Sequence, residues 1–218
     1  MNPDKKEVGP TSDQSDSLRS DYFESLYGRS ADGDPWRFAE SLYEAAKYKA
    51  TLDRLPRLRY TSALEVGCSI GVLTKQLADR VDRLLAIDIV FSALDQAKDR
   101  CHDCRHVRFE LLNVLDAVPS GPFDLIVLSE VAYYWTQTDF EMVFQGLIAQ
   151  LAPSGQMILV HWRGPVPDYP ETGDATHQHA EKLATTAGLV HRGRWVDLEY
   201  RTDLWESCGD DFKSGSIS

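Results

Sequence analysis

From residue 60 onward, short apolar runs alternate with stretches of helical period. Ala63-Leu64-Glu65-Val66 reads as a strand ending at Gly67, followed by a helix over Val72 to Arg80. A second strand (Arg83 to Ile87) and helix (Ser92 to Arg100) repeat the unit. Strands over Val107 to Leu112 and Phe123 to Leu128 and a helix over Asp139 to Leu151 continue it. Ala152-Pro153-Ser154-Gly155 reads as a turn before the apolar strand Gln156 to His161. After a Pro-rich loop, Gly164 to Pro170, a helix over Ala175 to Ala187 stops at Gly188, and strands over Leu189 to Val196 and Glu199 to Trp205 close the pattern. This alternation predicts an α/β fold: a doubly wound, seven-stranded, mostly parallel sheet with helices on both faces. The closing hairpin contributes one antiparallel strand.

Upstream, Asp34 to Leu55 reads as one helix, with Asp34 as N-cap, Pro35 at N1 and Pro56 as its stop. Ala39, Leu42, Tyr43, Ala46 and Ala50 supply its apolar recurrence. Residues 1–18 and 207–218 are polar and read as flexible tails, leaving 19–56 as an N-terminal helical segment and 57–206 as the α/β domain.

Composition adds exclusions. The 218 residues carry 23 Lys and Arg against 34 Asp and Glu, a formal charge of −11. That balance disfavours nucleic acid and anionic membrane as partners, since phosphates need clustered cations. The N-terminus lacks an apolar signal region, and the longest aliphatic run, Leu125-Ile126-Val127-Leu128, is too short to span a bilayer. The expectation is a cytoplasmic, soluble chain. Cys101-His102-Asp103-Cys104-Arg105-His106 offers either a metal knuckle or a helix end running into a strand. No second ligand pair follows at matching spacing, so no metal site is assigned.

Ligands of open α/β sheets bind where strands end and helices begin. The first such turn is Glu65-Val66-Gly67-Cys68-Ser69-Ile70-Gly71-Val72. A dinucleotide fingerprint wants glycines where Ser69 and Val72 stand, so a nicotinamide cofactor is set aside. The second strand runs to Asp88, where an acidic side chain can accept both hydroxyls of an adenosine ribose. Glu65, just before the first glycine, suits a ligand that carries positive charge rather than phosphate.

These features, with Asn113-Val114-Leu115-Asp116, Phe123-Asp124-Leu125-Ile126 and Leu151-Ala152-Pro153-Ser154-Gly155, resemble the class I S-adenosylmethionine-dependent methyltransferases, a Rossmann-like family, over residues 60–162. Tyr22-Phe23, Asp34-Pro35-Trp36-Arg37-Phe38, Tyr43-Glu44-x-x-Lys47-Tyr48 and Leu128-Ser129-Glu130-Val131-Ala132-Tyr133-Tyr134-Trp135 narrow the likeness to the rhizobial nodulation N-methyltransferases (NodS type). Beyond residue 160 that narrower likeness fades. The resemblance implies that S-adenosyl-L-methionine is the cofactor. It implies that Glu65, Gly67, Ser69 and Gly71 hold the methionine part, Asp88 the ribose, and Ile89, Asn113, Val114 and Leu115 the adenine. Ser129 lies at the end of the fourth strand, and Trp36 belongs to an N-terminal lid over the donor.

The acceptor implied is an amine of a small molecule or a deacetylated amino sugar such as a chitooligosaccharide. An amine must lose a proton before attack. Glu130 and His161, at adjacent strand ends, are the candidate catalytic residues; each also reads as a cap or a satisfied strand-end group. Asp168, Asp174, His177 and His179 fall in or after the Pro-rich loop. Two alternatives stay open: a small-molecule O-methyltransferase and a non-catalytic module that binds the same adenosine ligand. The sequence assigns no oligomeric state.

Overall fold

A computed structural model describes residues 16–209. Seven strands form one sheet: β1 (Ala63–Val66), β2 (Leu84–Asp88), β3 (Val107–Leu111), β4 (Phe123–Ser129), β5 (Leu151–Trp162), β6 (Val190–Val196) and β7 (Tyr200–Glu206). Their spatial order is β3-β2-β1-β4-β5-β7-β6. All neighbours pair in parallel except β7, which runs antiparallel to both β5 and β6. The doubly wound sheet with one reversed strand is the architecture that the alternation predicts. The turn expected at 152–155 is folded into β5 as an irregularity: Phe123 pairs with Leu151, but Leu125 already pairs with Gln156.

The helices are α1 (Ser20–Arg29), α2 (Leu42–Asp53), α3 (Val72–Ala78), α4 (Phe91–Arg100), α5 (Gln137–Ala149) and α6 (Gly173–Thr186). Strand alternation sorts the core into two layers. Leu64, Val66, Ile126, Leu128, Met157 and Leu159 pack with Phe140, Phe144 and Ala180 of α5 and α6. Ala63, Leu125, Val127, Ile158 and Val160 pack with Tyr48, Leu73 and Leu77 of α2 and α3.

Two sequence readings are corrected at the N-terminal side. The stretch 34–55 is not one helix. Asp34 caps a tight turn, accepting from the amides of Phe38 and Ala39 at 2.9 Å each, and Arg37 sits at φ +56°. The helix proper starts after Ser41, whose side chain accepts from the Glu44 amide. Its buried face is also not the apolar one: Leu42 is 89% exposed, while Glu44, Lys47, Tyr48 and Thr51 are buried. Residues 16–18 of the polar N-terminal stretch are anchored: Leu18 donates to the Tyr134 carbonyl at 2.8 Å, and the Thr136 amide donates to Ser17 Oγ at 2.7 Å. Ser207 likewise bonds back to the turn, its amide on Gly155 and its hydroxyl on Ala152. The remainder of both predicted tails, 1–15 and 210–218, lies outside the described residues.

Candidate active site

The strand order reverses between β1 and β4, and a cavity opens at the carboxyl ends of β1, β2 and β4. Its interior offers about 100 Å³ to water-sized groups and opens outward to solvent. Of the proposed cofactor residues, Trp36, Glu65, Gly67, Ser69, Asp88, Ile89, Asn113, Val114 and Ser129 line it. Gly71 and Leu115 do not, and their expected contacts are corrected. Gly71, at φ +78°, lies against α4, where a Cβ would come within 2.9 Å of the Ala97 Cα. It works through close backbone packing rather than as a wall. Leu115 serves the adjacent turn, its amide donating to Asn113 Oδ1 at 3.1 Å. That bond already occupies the amide oxygen expected to read an adenine amine, although an oxygen of this kind keeps a second lone pair.

The loop after β1 is shaped by left-handed residues: Gly67 at φ +75°, Ser69 at +51° and Gly71 at +78°. Gly67 admits no side chain without cost, since a Cβ would stand 3.0 Å from Val131 Cγ2. Asp88 organises the loop by accepting from the amides of Ser69 at 2.7 Å and Val90 at 3.0 Å. Burial nevertheless pushes its carboxyl up from the usual range. Glu65 is 2% exposed and faces α3; its Oε2 is buried with no hydrogen-bond partner among the described residues. Burial raises its carboxyl to about 8. The Thr74 hydroxyl of α3 eases this rise only in part, and a buried carboxylate oxygen left unsatisfied in the cavity lining leaves room for a cationic ligand group.

Glu130 follows β4 at φ +56°, a backbone conformation that costs a side-chain-bearing residue about 1–2 kcal/mol. Its amide is tied to the Val160 carbonyl of β5 at 2.8 Å. One carboxylate oxygen takes Lys47 Nζ at 2.7 Å, and the other takes the Tyr133 hydroxyl. Lys47 is 1% exposed and also pairs with Glu44 at 2.7 Å. Burial pulls its ammonium pKa down, but Glu130 and Glu44 override this and hold it above the usual range. The cluster joins α2 to the end of β4 through two carboxylates that share Lys47. This explains the inverted burial of α2. The signal in the sequence was the Glu44–Lys47 spacing of three between Tyr43 and Tyr48, which places an ion pair on the same helical stripe as an aromatic ring.

His161 is corrected as a candidate base. It is fully buried, does not line the cavity, and has both ring nitrogens engaged. The Ala132 amide donates to its Nε2 at 3.1 Å, and Nδ1 meets His177 Nε2 at 3.1 Å. His177, grouped by sequence with the loop, lies buried in α6 with Nδ1 2.7 Å from Asp203 of β7. Asp203 also accepts from His191, Arg194 and Arg201. Its burial works against ionisation, but His177, Arg194 and Arg201 hold its carboxyl far below the usual range. Asp174 is an ion-pair partner of Arg163 at 3.0 Å. Tyr27 was missed: its hydroxyl is 2.5 Å from Ser69 Oγ, and its ring packs edge-on to Trp36 at 5.5 Å.

Desolvation lowers the pKa of both His161 and His177. Below their unfolded pKa of about 6.5, the unfolded chain binds protons that the native pair refuses, so this pair's share of stability shrinks as pH falls. Glu65, with its raised carboxyl, acts in the opposite sense, so the expected result is stated as a difference. The stability gap between wild type and His177→Gln should narrow from pH 7 to pH 5 in denaturant titrations. A constant gap would mean the histidines are not held neutral.

Among the described residues no group of three or more His, Cys, Asp or Glu could hold a metal ion, and no helix is long and apolar enough to cross a membrane. Cys101 is the C-terminal cap of α4 and Cys104 accepts from Lys75 at 3.4 Å, which is the helix-end alternative.

The strand order, the glycine loop after β1 and the acidic end of β2 together define the α/β methyltransferase fold. Within that class, the family model for Nodulation protein S (NodS) matches residues 21–168, and the chain belongs to this family. The Nodulation protein S of Sinorhizobium fredii is 33% identical over 135 residues, 61% of this chain and 62% of that protein. That of Rhizobium tropici is 33% identical over 146 residues, 66% of this chain and 61% of that protein. The chain thus spans about three fifths of the length of these curated relatives. A crystal structure of the N-methyltransferase NodS from Bradyrhizobium japonicum WM9 in complex with S-adenosyl-L-homocysteine shares the fold, with 22% identity and a TM-score of 0.70, over 86% of this chain and 97% of that one.

Proposed function

We propose that this protein is an S-adenosylmethionine-dependent N-methyltransferase acting on an amine of a small molecule, with a deacetylated amino sugar as the first acceptor class to try. The observation that carries this reading is the Glu65 carboxylate, buried in the cavity lining with its Oε2 unsatisfied among the described residues. It calls for a ligand ammonium, and Asp88 stands at the neighbouring strand end where a ribose diol would bind. The family membership and the S-adenosylhomocysteine complex of the Bradyrhizobium japonicum protein support the same cofactor. When bound, the donor supplies a methyl group already activated on a sulfonium.

What remains for the chain is alignment and proton handling. Trp36, Tyr27 and Phe23 cover the cavity and exclude water, which favours well-aligned reactants. Glu130 lies at the cavity wall, where its carboxylate would orient an acceptor ammonium and receive its proton. Lys47 and Tyr133 hold that carboxylate in one place. Ser129 sits beside it, and Ile89, Val114 and Asn113 offer an adenine slot.

The test is transfer of labelled methyl to a panel of amino sugars and simple amines, compared with their hydroxyl analogues. Label on nitrogen supports the reading; label only on oxygen, or none, contradicts it. Glu130→Gln should lower kcat by about 10²–10⁴-fold, the usual worth of a positioned proton acceptor, with donor affinity retained. A kcat unchanged in that variant removes Glu130 from proton transfer.

Glu65 adds a pH signature. Burial holds its carboxyl at about 8, while the ammonium of a free amino acid keeps its proton through that range. Pairing the anionic acid with the cationic amine therefore releases a proton when binding occurs below about pH 8. S-adenosylhomocysteine affinity should rise with pH up to about 8, and Glu65→Gln should abolish the fall on the acid side. An acid limb that survives in Glu65→Gln means Glu65 does not meet the amine.

A further inference from the structure

We infer that His161, His177 and Asp203 form a hydrogen-bond chain of fixed direction whose task is to position Glu130 and Tyr133 against the acceptor. The inference deepens the proposed function and rests on it for the role of Glu130, but the chain itself is read from residues outside the cavity lining.

The direction follows from the two ends. The Ala132 amide can only donate, so His161 Nε2, 3.1 Å away, must be bare. A ring with a bare Nε2 carries its proton on Nδ1, which then donates to His177 Nε2 at 3.1 Å. That nitrogen must be bare in turn, so His177 carries its proton on Nδ1 and donates it to Asp203 at 2.7 Å. Asp203 closes the chain as a fully buried acceptor that also takes Arg201, Arg194 and His191. Protonating His161 would set donor against donor at the Ala132 amide, and protonating His177 would do so at His161 Nδ1. Both histidines are therefore neutral links, and neither is free to exchange a proton with an acceptor.

The chain crosses the molecule from β7, through α6, to the segment after β4. What it grips there is the single 3-10 turn Ala132–Tyr134. Glu130 precedes this turn in a left-handed conformation, and Tyr133 within it donates to the Glu130 carboxylate. Two adjacent residues of β5 thus hold the segment on both sides of Val131: the Val160 carbonyl takes the Glu130 amide, and the His161 ring takes the Ala132 amide. The Tyr133 ring lies 5.1 Å from the His161 ring, so the same imidazole also backs the hydroxyl's aromatic stem. A strained carboxylate position is kept by a bond that an apolar side chain at 161 cannot make. His161 and His177 are positioning residues.

Two measurements test this on the full chain. Nitrogen-15 NMR of the histidine rings reports which nitrogen is protonated. The chain requires Nδ1–H with bare Nε2 on both His161 and His177, and Nε2–H on either ring overturns it. In kinetics, His161→Leu removes the acceptor for the Ala132 amide, while His161→Gln offers a side-chain oxygen near the place of Nε2. The expected result is a kcat lowered at least tenfold in the leucine variant and largely restored in the glutamine variant. S-adenosylhomocysteine affinity should stay within about twofold of wild type in both, which also shows that both fold. Equal kcat in His161→Leu and wild type overturns the positioning role. Should wild type methylate no amine, the role given to Glu130 falls with the proposed function, while the ring-nitrogen result still decides the chain.

Discussion

Replacing Asp88 by alanine should weaken S-adenosylhomocysteine binding by about 10²–10³-fold. Hydrogen bonds to a charged acceptor contribute about 1.5–3 kcal/mol each, and two ribose hydroxyls on one carboxylate place the loss near 3–4 kcal/mol. The structure adds a second source of loss. Asp88 also receives the amides of Ser69 and Val90, so the alanine variant frees the loop that shapes the cavity. Asp88→Asn separates the two effects, because it keeps an oxygen acceptor but loses the charge. It should bind with intermediate affinity, read by calorimetric titration. An alanine variant that binds within a few-fold of wild type would show that the ribose lies elsewhere.

Lys47→Met should cost about 3–5 kcal/mol of stability, the usual penalty for breaking a buried ion pair from one side. At this chain length that lowers the thermal midpoint by roughly 10 °C. The reason is the bookkeeping of charge: Glu44 and Glu130 would remain buried on a face where Lys47 is their shared ammonium. The penalty should shrink at low pH, where the stranded carboxylates can take up protons. It should shrink also in the double variant Lys47→Met with Glu44→Gln. A thermal midpoint within about 2 °C of wild type at pH 8 would mean the cluster is not a buried unit.

Periodicity alone led to the sheet because strands β1, β4 and β5 are buried on both faces and so read as near-continuous apolar runs. The loop after β1 was legible on other grounds: Gly67 and Ser69 hold left-handed backbone, and Asp88 ties that loop to the end of β2. Helix α2 was misread because the apolar recurrence leading into it, Ala39, Leu42 and Ala46, is solvent-facing, and its core-facing stripe is held by charge. Hydrophobic period cannot detect a helix that packs through an ion triad, since one partner, Glu130, is 83 residues away. His161 was misassigned on similar grounds. Its position at a strand end was correct, but its face of β5 turns toward α6, and its ring partners are the Ala132 amide, 29 residues upstream, and His177 of α6, 16 residues downstream. Gly71 and Leu115 belong to the correct loops yet serve packing and turn closure, a distinction made by side-chain direction rather than by motif.

Calorimetric titration of the full chain with S-adenosylhomocysteine across pH 6 to 9 tests the central claim without knowledge of the acceptor. The account predicts one ligand per chain, with affinity rising from pH 6 to about 8 as Glu65 becomes anionic and meets a cationic amine. Absence of binding at every pH would contradict both the cofactor and the function proposed for the site.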